Sequence, residues 1–241
     1  DHTQARQQTR SFLAMSDAPA TIITGGGGGT LRAVIEGICE GQVTMHRDLP
    51  GGDRIRVAAL RMGSGNILAK QFGVPLDPEQ ALKGIVANLK EGRTAPCCVM
   101  RCEVGKKGSP PEVRYAVAMA GFGQFGRSPG DLARWHRRLP TLRRLIARII
   151  GIERLNAVEY GLSLFTRFIW CALWPNAAEV VEFRMGERTE SMRLLTGVVM
   201  NFPVKQLPFE PGVWIEDAVL SLNFVPYPGR WVTLLTVFSM R

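Results

Sequence analysis

Apolar and polar positions follow two different rhythms along this chain, and the rhythm changes near residue 93. Residues 3–15 are polar with scattered Ala, Phe and Leu, which predicts a helix, and Asp17-Ala18-Pro19 breaks it. Ala20-Thr21-Ile22-Ile23-Thr24 then predicts a short buried strand. After a run of glycines, Leu31, Val34, Ile35 and Ile38 recur at i, i+3, i+4 and i+7, which is one face of a helix. Residues 54–60 form the next strand candidate, and Met62-Gly63-Ser64-Gly65-Asn66 is a second tight turn. Residues 67–72 continue helically, and Pro75-Leu76-Asp77-Pro78 opens a further helix through Leu89. Strand, turn and helix joined by short loops predict a parallel, helix-covered sheet.

Beyond residue 91 the texture is strand-like, over residues 97–104, 113–118, 178–184, 192–201, 218–225 and 231–238. Gly/Pro turns separate these runs, and residues 106–111 predict a hairpin loop. The expectation is an α/β chain of two domains. A doubly wound α/β domain spans 1–93, and a mostly antiparallel β-sandwich domain spans 94–241, with a helical insertion near 129–173.

Within that insertion Leu142, Leu145, Ile146, Ile149 and Ile150 form one helical stripe, with Arg143, Arg144 and Arg148 off it. Phe165, Phe168, Trp170 and Trp174 follow, with Arg167 among them. Two readings stay open. The stripe packs on the β domain and leaves the arginines in water, or the segment lies at a membrane interface. Nothing here approaches the ~20 consecutive apolar residues of a membrane span.

Composition narrows the partners. The formal charge of +9 favours an anionic one. The excess is concentrated between Arg127 and Arg154, where Asp131 and Glu153 are the only acids. Five cysteines, Cys97 and Cys98 adjacent, suit neither a disulfide framework nor zinc spacing and predict a reducing cytoplasm. His2, His46 and His136 are scattered and read as surface residues. The chain opens at Asp1 without a secretory pattern and reads as starting inside a larger protein.

The chemistry lies in the glycines. A glycine turn between a strand and a helix lets backbone N–H groups approach an anion, with the helix dipole behind them. Gly63-Ser64-Gly65-Asn66 repeats the arrangement after the next strand, so two such turns are expected side by side at the sheet's carboxyl edge. Thr30, Ser64 and Asn66 add short hydrogen-bonding side chains.

At these residues the sequence resembles a known family. Ile22-Ile23-Thr24-Gly25-Gly26-Gly27-Gly28-Gly29-Thr30-Leu31 is similar to the Gly-Gly-Asp-Gly-Thr-Leu motif of diacylglycerol kinases and their sphingosine, ceramide and NAD kinase relatives. Met62-Gly63-Ser64-Gly65-Asn66-Ile67-Leu68-Ala69 resembles the following Gly-Thr-Gly-Asn-Asp-Phe-Ala segment, and Phe72-Gly73-Val74-Pro75 its continuation. Ala120-Gly121-Phe122-Gly123, Leu207-Pro208-Phe209 and residues 216–222 resemble later segments more weakly.

The resemblance implies an NAD-kinase-like nucleotide domain, here N-terminally incomplete, and an ATP- and Mg²⁺-dependent transfer of phosphate to a lipid hydroxyl such as that of diacylglycerol. Gly26, Gly27, Gly28, Gly29 and Thr30 would line the phosphates, with Gly63, Ser64, Gly65 and Asn66 as the second wall. Asp217 would be the metal ligand. Apart from the resemblance, the cysteines lead us to expect a cytoplasmic protein, and the basic helical insertion a peripheral contact with an anionic membrane. A homodimer is a further expectation, and no nucleic acid is expected as partner, since no RNA- or DNA-binding motif is present.

Several departures from the family pattern bear on catalysis. Gly28 stands at the motif aspartate, Arg32 where many relatives carry Asn, and Ser221 at the late motif's second acid. The first strand with its Asn-Pro loop and the general-base glutamate have no counterpart. No catalytic residue is therefore assigned, and a weak or inactive kinase is expected. A nucleotide- or lipid-binding pseudokinase and an NAD-kinase-like enzyme are the alternatives.

Overall fold

The computed structural model describes residues 2–15, 18–44, 55–63, 66–105, 110–185, 187–203, 214–217 and 219–233. The chain is a two-domain α/β fold. Its compact units are Asp1–Ala118 with Trp214–Val219, and Met119–Val213 with Leu220–Arg241.

In the first unit, β1 (Ala20–Gly26) and β2 (Ile55–Arg61) pair in parallel, in a register that runs from Ala20 opposite Ile55 to Gly26 opposite Arg61. Between them lies α2 (Gly28–Thr44), and the stripe read from the sequence is its core face. Val34, Ile35 and Ile38 are buried with Leu13 and Cys39, and Ile22, Leu31, Ile55 and Val57 pack against them. Each such side chain contributes about 1.5–3 kcal/mol by leaving water.

α1 (His2–Met15) lies on α2. It comes close because α2 carries Gly37, where a Cβ would stand 2.6 Å from the Arg6 carbonyl oxygen. The Arg6 guanidinium then reaches Glu40, with its Nε donating to Oε2 at 2.8 Å.

α3 (Ile67–Gln71) and α4 (Pro78–Lys90) follow β2. α4 starts where the sequence predicts, with Pro78 in the first turn and the Asp77 carboxylate accepting from the Gln80 N–H at 2.9 Å. β3 (Met100–Val104) and β4 (Glu112–Ala116) form an antiparallel hairpin, and residues 106–109 of its expected loop lie outside the described residues. The compact unit runs past residue 93 to Ala118 because Val99, Tyr115 and Val117 pack on the α2 core. Patterning along the strands carries no record of that tertiary contact.

The second unit is built on β7 (Arg188–Met200), which pairs antiparallel with β5 (Met119–Phe122), β6 (Glu179–Met185) and β8 (Ser221–Pro226). Leu194, Leu195, Thr196, Gly197 and Val198 are all buried, so β7 is covered on both faces there. Among the described residues these strands form one four-stranded sheet.

Three α-helices and a short 3-10 turn (Pro175–Ala177) separate β5 from β6: α5 (Gly123–Arg138), α6 (Pro140–Ile150) and α7 (Ile152–Leu173). The insertion starts at Gly123, ahead of the expected Pro129. Gly123 has φ 62° and turns the chain straight from β5 into α5, so Pro129 sits inside the helix. Lacking an N–H, Pro129 leaves the Phe125 carbonyl without its helical donor.

A second difference concerns residues 231–238, expected as a strand. Residues 231–233 are helical, entered through Gly229 at φ 100° with the Thr233 N–H donating to the Gly229 oxygen at 3.0 Å. Residues 234–238 lie outside the described residues.

The apolar stripe of α6 is split: Ile146 is half-buried, while three of its residues face outward. Leu142, Leu145 and Ile149 are 49%, 57% and 75% exposed. Arg143 faces inward instead, where its Nε donates to Glu159 Oε1 at 3.1 Å and a terminal nitrogen donates to Asn156 Oδ1 at 2.6 Å. His136 Nε2 meets the same carboxylate at 2.9 Å. The side chain of Ile150 lies outside the described ones. The inward face of α6 thus combines Arg143, held by a polar network with α7, with half-buried Ile146 and Ala147.

Candidate functional site: the paired glycine turns

β1 ends at Gly26, Gly27 follows, and α2 begins at Gly28. The Thr30 and Leu31 N–H groups both donate to the Gly27 carbonyl, at 3.0 and 3.1 Å. Helix geometry leaves the Gly28 and Gly29 amides as free donors at the positive end of α2, whose first turn holds no acid. A Cβ on Gly26 would stand 2.7 Å from that of Thr30, whose side chain folds back over the turn. Gly28 is different: nothing lies within 4 Å of where its Cβ would be.

The second turn lies against the first. A Cβ on Gly63 would overlap the Cα of Gly27 and stand 2.7 Å from its nitrogen. Such backbone-to-backbone contact leaves no room for a side chain at Gly63. Asn66 holds the second turn, itself left-handed at φ 51° and ψ 35°. Its Oδ1 accepts the Gly63 N–H at 2.8 Å, and its Nδ2 donates to the Gly63 carbonyl. Both polar atoms of the Asn66 amide are engaged within the turn, which it braces. Ser64 and Gly65 lie outside the described residues.

Two neighbours of the turns have no signal in the sequence. The His2 imidazole stands over Gly29, with its Nε2 2.8 Å from where a Cβ would be. Arg61 closes β2 opposite Gly26. By strand alternation it shares a face with Ile55 and Val57, the face that packs on α2. Its Nε is buried without a hydrogen-bond partner, and one terminal nitrogen reaches the Val74 carbonyl at 3.5 Å. A strand-end arginine looks like any surface charge until the ladder register is known.

Asp217 belongs to the same compact unit. Its Oδ2 accepts the Trp214 N–H at 2.7 Å, and its own N–H donates to the Trp214 carbonyl at 2.9 Å. The carboxylate closes a turn that is tied to the rest of the unit by the Cys98 N–H donating to the Ile215 oxygen at 2.8 Å. Among the described residues, no three His, Cys, Asp or Glu side chains gather as a metal site. Mg²⁺ is usually held by one or two carboxylates together with phosphate oxygens. Gly28 brings no carboxylate to the first turn, and Asp217 spends one carboxylate oxygen, Oδ2, on its own turn. Cys39 offers no nucleophile, since burial first, and then nearby thiol and acidic groups, push its thiol up to about 11.

The site therefore offers backbone donors, a helix N-terminus and a strand-end cation, all suited to an anion. Residues 1–97 match the diacylglycerol kinase catalytic domain family. Among solved structures, the chain is similar to "a putative diacylglycerol kinase from Bacillus anthracis str. Sterne", at 17% identity and a TM-score of 0.56, over 100% of this chain and 67% of that one. A second, described as a diacylglycerol kinase from the same organism, has 16% identity and a TM-score of 0.52, over 100% and 64%. These likenesses concern the fold, and the chain spans about two thirds of those proteins' length. No curated protein matches it in sequence.

Proposed function

Starting from a chain that is diacylglycerol kinase-like in its first 97 residues and in its fold, we propose that it binds ATP at the paired glycine turns and passes phosphate slowly to a lipid hydroxyl such as that of diacylglycerol. The observation that carries this reading is the contact of Gly63 with Gly27 at the carboxyl edge of the parallel β1–β2 pair. Ligands of open α/β sheets bind at that edge.

Bound ATP would supply the transferable phosphoryl group, with Mg²⁺ carried on its phosphates. The chain's part is positioning and charge. The Gly28 and Gly29 amides receive phosphate oxygens, Thr30 narrows the turn, and Arg61 contributes positive charge on the α2 face. Phosphoryl transfer depends largely on such placement and electrostatic support. Low turnover follows from Gly28, which removes the carboxylate that would organise nucleotide and metal.

That same glycine favours a second reading, a nucleotide-binding protein without transfer. Titration with ATP, followed by a radiolabelled transfer assay on diacylglycerol in mixed micelles, separates the two. ATP binding with slow labelling supports the proposal, binding without labelling supports the second reading, and absence of ATP binding overturns both.

A further inference from the structure

α6 is an amphipathic helix that carries apolar side chains on its outward face as well as on its inward one, where Ile146 and Ala147 are half-buried. Its inward contacts include the Arg143 links to Glu159 and Asn156, while Leu142, Leu145 and Ile149 face outward. One Leu in water is ordinary, but three large apolar side chains on successive turns of one short helix make a patch.

The patch is framed by positive charge. Arg144 and Arg148 lie on the exposed side of α6, and Arg137 and Arg138 are exposed at the end of α5, just before it. None of these four has an acidic partner among the described residues, and α6 itself contains no acid. On α7, Trp170 and Trp174 stack with ring centroids 4.0 Å apart and are about half exposed, at 52% and 50%. Indoles favour the boundary between headgroup and hydrocarbon.

We infer that the outward face of α6 docks in the headgroup layer of an anionic bilayer. Its 11 residues extend about 16 Å, against roughly 30 Å of hydrocarbon, so α6 lies in the interface plane instead of crossing. No helix among the described residues is long and apolar enough to cross a membrane. Leu142, Leu145 and Ile149 enter the acyl boundary, while Arg144 and Arg148 meet lipid phosphates. A second copy of this chain is the poorer occupant: a two-fold contact through α6 would set its arginines against their own symmetry mates. A nucleic-acid backbone would satisfy the arginines and leave the apolar patch in water.

The inference needs no nucleotide and does not rest on the proposed kinase activity. Its test is vesicle flotation without ATP, comparing vesicles of phosphatidylcholine with vesicles of equal parts phosphatidylcholine and phosphatidylglycerol. The chain should float with the anionic vesicles at least roughly ten-fold better, and high salt should erode the difference. The double variant Leu145→Glu/Ile149→Glu should lose roughly ten-fold in anionic-vesicle binding. Arg144→Glu/Arg148→Glu should abolish the preference for anionic lipid. As both pairs are exposed, unchanged thermal melting checks that the fold is intact. An environment-sensitive dye on Ile149→Cys should shift to the blue with anionic vesicles, reporting insertion without the charge-introducing variants. Equal flotation with both vesicle types would overturn the inference. So would variants that convert a dimer to a monomer while leaving vesicle binding unchanged.

Discussion

Gly63 and Gly27 meet backbone to backbone, so that a Cβ on Gly63 would overlap the Cα of Gly27 and stand 2.7 Å from its nitrogen. The two turns they belong to are thereby parts of one structure, and a change in either is felt in both.

Gly63→Ala should accordingly destabilise the chain by about 1–3 kcal/mol, the usual cost of forcing a methyl into a packed site. It should also weaken ATP binding at least roughly ten-fold by parting the turns. Gly28→Ala, with open space at its Cβ position, should stay within about 0.5 kcal/mol of the parent, as an unremarkable surface change does. Urea unfolding of the two variants in parallel makes the comparison, and equal costs would refute the contact argument.

Gly28→Asp meets no steric obstacle for the same reason. An aspartate in the first turn of α2 should stabilise the helix by about 0.3–1 kcal/mol in the absence of ligand. It should weaken binding of metal-free ATP by charge repulsion and raise transfer in the presence of Mg²⁺ by at least roughly ten-fold. Transfer assays on both proteins, with and without the metal, measure this. A variant that gains no Mg²⁺ dependence would count against the placement of phosphate at this turn.

Arg61→Gln removes the cation that closes β2 while keeping a polar side chain of similar reach. ATP affinity should fall roughly ten-fold, as for loss of one charge-assisted contact. Its salt dependence should flatten as well. Titrations at low and high ionic strength test this, and unchanged affinity at low salt would remove Arg61 from the site.

Asp131 supplies a pH dependence in the second unit. Burial opposes its ionisation, but hydrogen bonds from Arg167 and Arg134, together with their charges, outweigh that and hold its carboxyl below the usual range. Ser163 Oγ also donates to it at 3.3 Å, and Arg167 continues to Gln124 Oε1 at 3.1 Å. Because the folded state binds this proton less readily than the unfolded one, the stabilisation is present above the ordinary value of about 3.9. It is lost as pH falls below that value and through the folded one. Asp131→Asn should lower stability near neutral pH and flatten its decline in acid. Urea midpoints across that window check the slope.

Where local chemistry decides structure, the sequence is readable. Val34, Ile35 and Ile38 announce the buried face of α2, Asp77-Pro78 announces the start of α4, and the two glycine turns announce their own adjacency. What escapes is set by partners distant along the chain. The inward placing of Arg143 on α6 depends on Glu159 and Asn156, which lie on the next helix. The reach of the first unit to Ala118 depends on Tyr115 and Val117 finding α2. Arg61 and His2 become neighbours of the turns only through ladder register and through the packing of α1. Pro129 misleads because proline favours a helix start, while Gly123 supplies the conformation that starts the helix earlier.

β7 pairs with β5, β6 and β8, and among the described residues no other strand in its sheet is paired with more than β7 itself. Separating β7 from its neighbours therefore ends every ladder among the described residues of the sheet at once. Amide hydrogens of the four strands should exchange with solvent in one shared opening event, with a common free energy, instead of fraying strand by strand from the edges.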